Sequence, residues 1–129
     1  MTPEESAWRP TAEQKTIGEI ARHMAYWKEA VRARLSGQPW TYSDEANWRA
    51  VPPTAAGWDE ARAELERSHQ ELLAVLRTLT VERLGEPLGK AWWQEDRPAR
   101  VVDWAVGVAH HDSYHAAQIF VLRRLYQHR

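Results

Sequence analysis

His110-His111-Asp112-Ser113-Tyr114-His115-Ala116-Ala117-Gln118-Ile119 is the stretch whose reading decides the fold. It holds three of the six histidines within six residues. His111 and His115 are four apart. On an α-helix, positions i and i+4 lie about 40° apart around the axis and about 6 Å apart along it. Two imidazoles so placed can reach one metal ion. The helical reading follows from the flanks. Trp104, Val108, His111, His115, Ile119, Leu122 and Tyr126 recur at steps of four, three, four, four, three and four, which is one helical stripe. Such a stripe faces a core, so the two histidines stand where leucine is the default. A buried imidazole needs a partner. A metal ion is one, a hydrogen-bonded carboxylate or carbonyl the other.

Working outward, Thr16-Ile17-Gly18-Glu19 is a capping-box pattern. It opens a helix to about Ser36, stopped by Gly37. Its apolar residues are Ile17, Ile20, Met24, Trp27, Val31 and Leu35. His23 lies about 75° from the centre of that stripe at 100° per residue, so it is expected at the border of the buried face, beside Ile20 and Trp27. It is the natural third ligand for the pair on the later helix. Ahead of this helix, Thr2 caps a short turn with Pro3 at its first position, and Trp8-Arg9-Pro10 ends it.

Residues 38–57 keep no helical or strand period, and a long loop is expected there, with one helical turn near Asp44–Asn47. Trp40, Tyr42 and Trp48 could cover a site mouth or simply pin the loop to the bundle. Thr54 caps a third segment from Ala55 to about Leu79, with the stripe Trp58, Ala61, Leu65, Leu72, Val75, Leu76 and Leu79. His69 is assigned to structure. Thr80 to Leu84 is one capped turn. Residues 85–97, with Gly85, Pro87, Gly89 and Trp92-Trp93, form a linker with room for an extended pair. Asp96 is the expected cap of the last helix, from about Pro98 to Gln127. On that helix Gln118 can touch whatever occupies the site, and Asp112 can orient an imidazole or a neighbouring helix. Trp27 and Trp104 are the aromatic candidates for the same pocket.

Composition bounds the rest. The chain has 129 residues, one domain spanning 1–129 with one core. Three long amphipathic helices with short turns and two loops imply an all-α bundle. No apolar run approaches the ~20 residues of a membrane span, and the acidic N-terminus has no signal-peptide pattern; a cytoplasmic protein is expected. A formal net charge of −1 gives no reason to expect nucleic acid. Cysteine is absent, so a transition-metal site must use histidine, carboxylate or water.

Ala7-Trp8-Arg9-Pro10, then Thr16-Ile17-Gly18-Glu19-Ile20-Ala21-Arg22-His23, and above all His110 to Ile119 resemble the DinB/YfiT-like metal-binding bundles. The resemblance runs over nearly the whole chain. It implies a four-helix bundle with an up-down-down-up course, often dimeric. It also implies one divalent metal held by His23, His111 and His115. The chain departs from the family in beginning almost at the Trp-Arg-Pro segment, so the usual first helix is expected to be absent. Three helices would leave an apolar groove, and a homodimer covering it is expected.

Three neutral imidazoles leave a divalent ion an open position; zinc is the first choice and nickel the next. Binding is expected to fade below about pH 6.5, where free imidazole protonates. Similarity to the family implies a metal-dependent S-transferase that activates a low-molecular-weight thiol against a small electrophile. Arg22, Arg97 and Arg100 could hold carboxylates of such a thiol, the default being that they are solvated. A metal-dependent hydrolase and a non-enzymatic metal-binding or stress-response protein stay open beside it.

Overall fold

The computed structural model describes residues 1–91 and 97–129. The first five helices each begin at a residue whose side chain accepts from a free N–H of the first turn. Thr2 caps α1 (Pro3–Ala7), which carries proline in its first turn. Thr16 accepts from the Glu19 amide at 3.1 Å, and Glu19 accepts from the Thr16 amide at 2.8 Å, closing the capping box of α2 (Ile17–Leu35). Beyond it Gly37 turns the chain at φ +66°, and the Gln38 amide bonds back to Ala33 at 2.8 Å. Ser43 caps the single turn α3 (Asp44–Asn47), Thr54 caps α4 (Ala55–Leu76), and Thr80 caps α5 (Val81–Gly85).

Two boundaries differ from the sequence expectation. α4 stops at Leu76 rather than Leu79, because Thr78 and Leu79 bond to carbonyls three residues back and tighten the last turn. α6 (Val101–Gln127) starts three residues after Pro98. The chain before it is held extended. The Leu88 amide bonds to Ala99 at 2.7 Å, Ala99 to Gly89 at 2.9 Å and Val101 to Glu86 at 3.0 Å. The extended pair thus joins the linker to the approach of α6. Asp103, not Asp96, receives the Arg100 amide at 2.7 Å in the first turn. Asp96, Trp92 and Trp93 lie outside the described residues.

α2 lies between α4 and α6. Arg22 reaches Glu60 and Glu64 of α4, and Arg32 reaches Glu71, so the two helices advance together and run parallel. α6 runs the other way: Leu122 shares a cluster with Ile20, while Val108 and Trp104 share one with Val31. A helix of 19 residues is about 28 Å long. The chain from 36 to 54 carries the course back over that length, which is the crossover the loop permits. Fifteen of the 19 residues of α2 are buried. Its apolar stripe therefore understates it: Gly18, Ala21, Ala25, Ala30 and Ala33 let neighbours close over the other sides. This overturns the border position expected for His23, which is 6% exposed.

The buried apolar residues form two clusters. Ile17, Ile20, Ala21, Met24, Trp58, Ala61 and Leu122 make one, and Val31, Leu35, Leu72, Val101, Trp104 and Val108 belong to the other. Along α2 and α6 the histidines fall between them. α6 is apolar on its outer side too, where Val106, Tyr114, Phe120, Val121 and Leu125 are exposed. Among the described residues no helix is long and apolar enough to cross a membrane.

Candidate metal centre

Two helices bring three imidazoles to one point. The Nε2 atom of His111 lies 3.0 Å from Nε2 of His23 and 3.1 Å from Nε2 of His115. The possible ligand atoms of the three rings all lie within 4.8 Å of one another. His115 is 5% exposed and His111 half-buried.

The far side of two rings fixes which nitrogen carries the proton. His23 Nδ1 is 2.7 Å from Asn47 Oδ1, and His115 Nδ1 is 2.6 Å from Gln118 Oε1. An amide oxygen only accepts, so each Nδ1 must donate, and in a neutral ring Nε2 is then a bare lone pair. Two such lone pairs face His111 Nε2, and a single proton there satisfies only one of them. His111 Nδ1 is buried with no partner among the described residues. A cation at the centre removes the conflict.

The rings are neutral at physiological pH. Burial, then the neighbouring His115, holds His23 down at about 4. Burial, then His115 and His23, holds His111 at about 3. Burial lowers His115 as well, against the Gln118 bond and the Asp112 charge, which favour its protonated form. Metal binding needs unprotonated imidazole, so these shifts move the fading of any metal site well below the pH 6.5 expected from sequence. The spacing also fits. Nitrogens bonded at about 2.0–2.1 Å to one tetrahedral zinc ion stand about 3.3 Å apart. The cluster could therefore hold a divalent ion.

A family model described as the DinB superfamily matches residues 1–119. The chain belongs to the DinB superfamily. No curated protein matches it.

In this DinB-superfamily protein the loop after α2 builds one wall of the centre. Trp48 stacks on His23 with ring centroids 3.7 Å apart and planes within 8°. Two glycines seat this wall. A Cβ on Gly18 would stand 2.9 Å from Val51 Cβ, and one on Gly57 would stand 2.6 Å from the Pro52 carbonyl oxygen. Of the other loop aromatics, Trp40 packs near Tyr26 and Trp27, and Tyr42 turns its hydroxyl towards Asp44 and Asn47. Asn47 was not singled out from sequence. The turn carrying it was legible, but not which of its side chains points inward.

The remaining candidates take distinct places. Trp27 is 6.4 Å from His23 and 6.2 Å from His111, ring to ring. Gln118, expected against an occupant, holds His115. Asp112 pairs with buried Lys28 of α2 and so ties the two helices beside the triad. Trp104 donates its Nε1 hydrogen to the Leu88 carbonyl at 2.8 Å and lines a cavity of about 830 Å³ that opens from the triad along α6. Arg22 is a correction. It is buried, donating to the Ala50 carbonyl at 2.6 Å and to Glu60 at 2.9 Å, and it is not aimed at a ligand. Arg97 makes two bonds to Asp103, at 2.8 and 3.0 Å, and Arg100 is 3.9 Å from the same carboxylate. His69 is half-buried on α4 and is not among the three clustered histidines.

Proposed function

We propose that His23, His111 and His115 ligate one divalent ion, zinc before nickel, and that the protein is a metal-dependent S-transferase acting in the cytoplasm, where thiols are kept reduced. The observation that carries this is the meeting of three Nε2 atoms, two of them stripped of their protons by Asn47 and Gln118.

The donor set argues for the thiol. Three imidazoles bring no negative charge, and the amides behind two of them bring none either, so the charge of a divalent ion is left uncompensated and an anion completes the site best. Bound there, such an ion supplies Lewis acidity that lowers the pKa of a coordinating thiol and keeps it as thiolate near neutral pH. Asn47 and Gln118 hold two rings in their tautomer, and Lys28 with Asp112 holds α2 to α6. In the transfer the thiol proton passes to solvent, a sulfur lone pair forms the S–C bond, and the carbon–leaving-group bond breaks with its electron pair departing on the leaving group.

A hydrolase reading is less favoured. Among the described residues no carboxylate is hydrogen-bonded to a triad imidazole, and one oxygen of Asp112 is engaged by Lys28, which gives a metal-bound water less support than a thiol.

Metal uptake by dialysis with elemental analysis tests the ligand set. One equivalent is expected for the wild type, none for His111→Ala/His115→Ala, and severely weakened uptake for His23→Ala. Full uptake by the double variant overturns the site. The metal-loaded protein is then assayed with thiols plus haloaromatic electrophiles, and with an ester and amide panel. Turnover of the first set supports the transferase, turnover of the second alone the hydrolase, and inertness in both a non-enzymatic metal-binding or stress-response role. We also infer a homodimer in which a second copy packs on the exposed Phe120 of α6, which lies outside the cavity beside the triad. Sedimentation at micromolar concentration is expected to give a dimer, and Phe120→Glu a monomer; a wild-type monomer refutes it.

A further inference from the structure

Two cavities, here called arms, lie along α6 on either side of His115; the first reaches all three triad rings and the second reaches His115. Tyr114 and His115 line both. The first arm, about 830 Å³, runs past Trp27, Val31, Val102, Trp104 and Val106. Among its described lining residues there is no lysine or arginine, and its one carboxylate, Asp103, is held by Arg97. The second arm, about 660 Å³, is lined by Ile20, Trp48, Val121 and Leu122 together with Gln14, Lys15 and Gln118.

Lys15 sets the second arm apart. Its Nζ lies 5.0 Å from the centre of the Trp48 ring, the ring that stacks on His23. Of the other cations around the centre, Lys28 pairs with Asp112, Arg22 with Glu60 and Glu64, and Arg49 with Glu64, while Arg34 lies 4.2 Å from the Trp104 ring centre without being among the residues that line the first arm. Lys15 has no carboxylate partner among the described residues. An ammonium group left uncompensated beside a cleft draws in anions, whereas an uncharged apolar cleft rejects them, since a carboxylate desolvated there without a partner is costly.

We propose that the two arms divide the substrates: the thiol is anionic and lies in the second arm with a carboxylate at Lys15, and the electrophile is neutral and apolar and lies in the first arm along Trp27, Val31 and Trp104. This rests on the thiol reading above and extends it to the chemistry of each partner.

The test uses the full chain loaded with cobalt(II), whose thiolate charge-transfer band reports thiol binding without turnover. Mercaptosuccinate, with two carboxylates, and 2-mercaptoethanol, with none, are the thiol probes; N-phenyl-1-naphthylamine, neutral and apolar, probes the first arm through its emission. Mercaptosuccinate is expected to bind the wild type more tightly than 2-mercaptoethanol. Lys15→Gln should weaken mercaptosuccinate about fivefold, the scale of one exposed ion pair, and leave the other two probes unchanged. Val106→Glu puts a carboxylate into the apolar arm and should weaken the naphthylamine severalfold, and leave mercaptosuccinate unchanged. The preference for mercaptosuccinate should shrink as salt is raised. Equal effects of Lys15→Gln on both thiols, no effect on either, or displacement of the naphthylamine by mercaptosuccinate overturn the assignment while the thiol reading stands. A cobalt spectrum that neither thiol perturbs sinks the thiol reading, and the assignment of the arms with it.

Discussion

Lowering the pH from 7.5 to 5.0 puts the buried triad against three ordinary histidines. Three imidazoles titrating at ~6.5 would each have to shed a proton before binding, and together those competitions would weaken apparent metal affinity by about 3 × 10⁴-fold at pH 5.0. In the folded chain His23 is held at about 4 and His111 at about 3, so both rings are already bare at pH 5.0. Only His115 is left to compete. Its pKa is lowered too, so the unshifted value sets the upper limit, and the loss is at most about 30-fold. Competition for zinc against a chromophoric chelator at pH 7.5, 6.0 and 5.0, with the chelator's own proton affinity measured separately, reads the difference. A fall of a thousandfold or more would refute the argument that burial keeps these rings neutral. The same shifts act on the metal-free fold with a definite sign. The unfolded chain, with histidines near 6.5, binds more protons than the folded one. Their contribution is therefore complete above about pH 6.5 and is lost as the pH falls towards 4. The urea midpoint of the metal-free protein should fall across that window.

Three further outcomes are expected. Asn47→Leu leaves the His23 Nδ1 hydrogen buried without an acceptor, which costs about 1–3 kcal/mol in a chemical denaturation curve, and it frees the ring, so zinc affinity should drop about 10- to 100-fold; unchanged affinity would remove Asn47 from the site. Asp112→Ala strands the buried Lys28 ammonium and should cost about 3 kcal/mol, while Lys28→Met/Asp112→Leu should recover most of it; a double variant as unstable as the single one would count against a charge effect. Gly57→Ala forces a methyl group against the Pro52 carbonyl and should lower stability by about 1–3 kcal/mol, read as a shift in thermal midpoint, whereas Gly85→Ala, with open space around it, should shift it far less.

The helices were legible because their starts carry chemistry. Thr2, Thr16, Thr54 and Thr80 stand as caps where sequence places them, and the spacing of four from His111 to His115 survives as a geometric fact on α6. What sequence could not yield was partnership across distance. His23 is buried because α4, α6 and the 48–53 segment all close on α2, and small residues permitting this look the same in a stripe analysis as small residues facing water. Arg22 reads from sequence as a ligand-holding or solvated cation, yet Glu60 and Glu64 wait for it a helix away. Asn47 and Trp48 sit in a segment without a period, so nothing local says which of its side chains faces inward. The start of α6 was misplaced because proline at 98 suits a first turn, while the bonds that hold Ala99 extended come from Leu88 and Gly89.

The parallel course of α2 and α4 has a consequence for how the protein is made. His23 and His111 are 88 residues apart in sequence, and the wall between them in order of synthesis includes the whole crossover. A nascent chain emerging from the ribosome therefore displays α2, with almost all of its sides destined for burial, long before α6 exists to cover it. The three imidazoles therefore come together only after α6 has emerged.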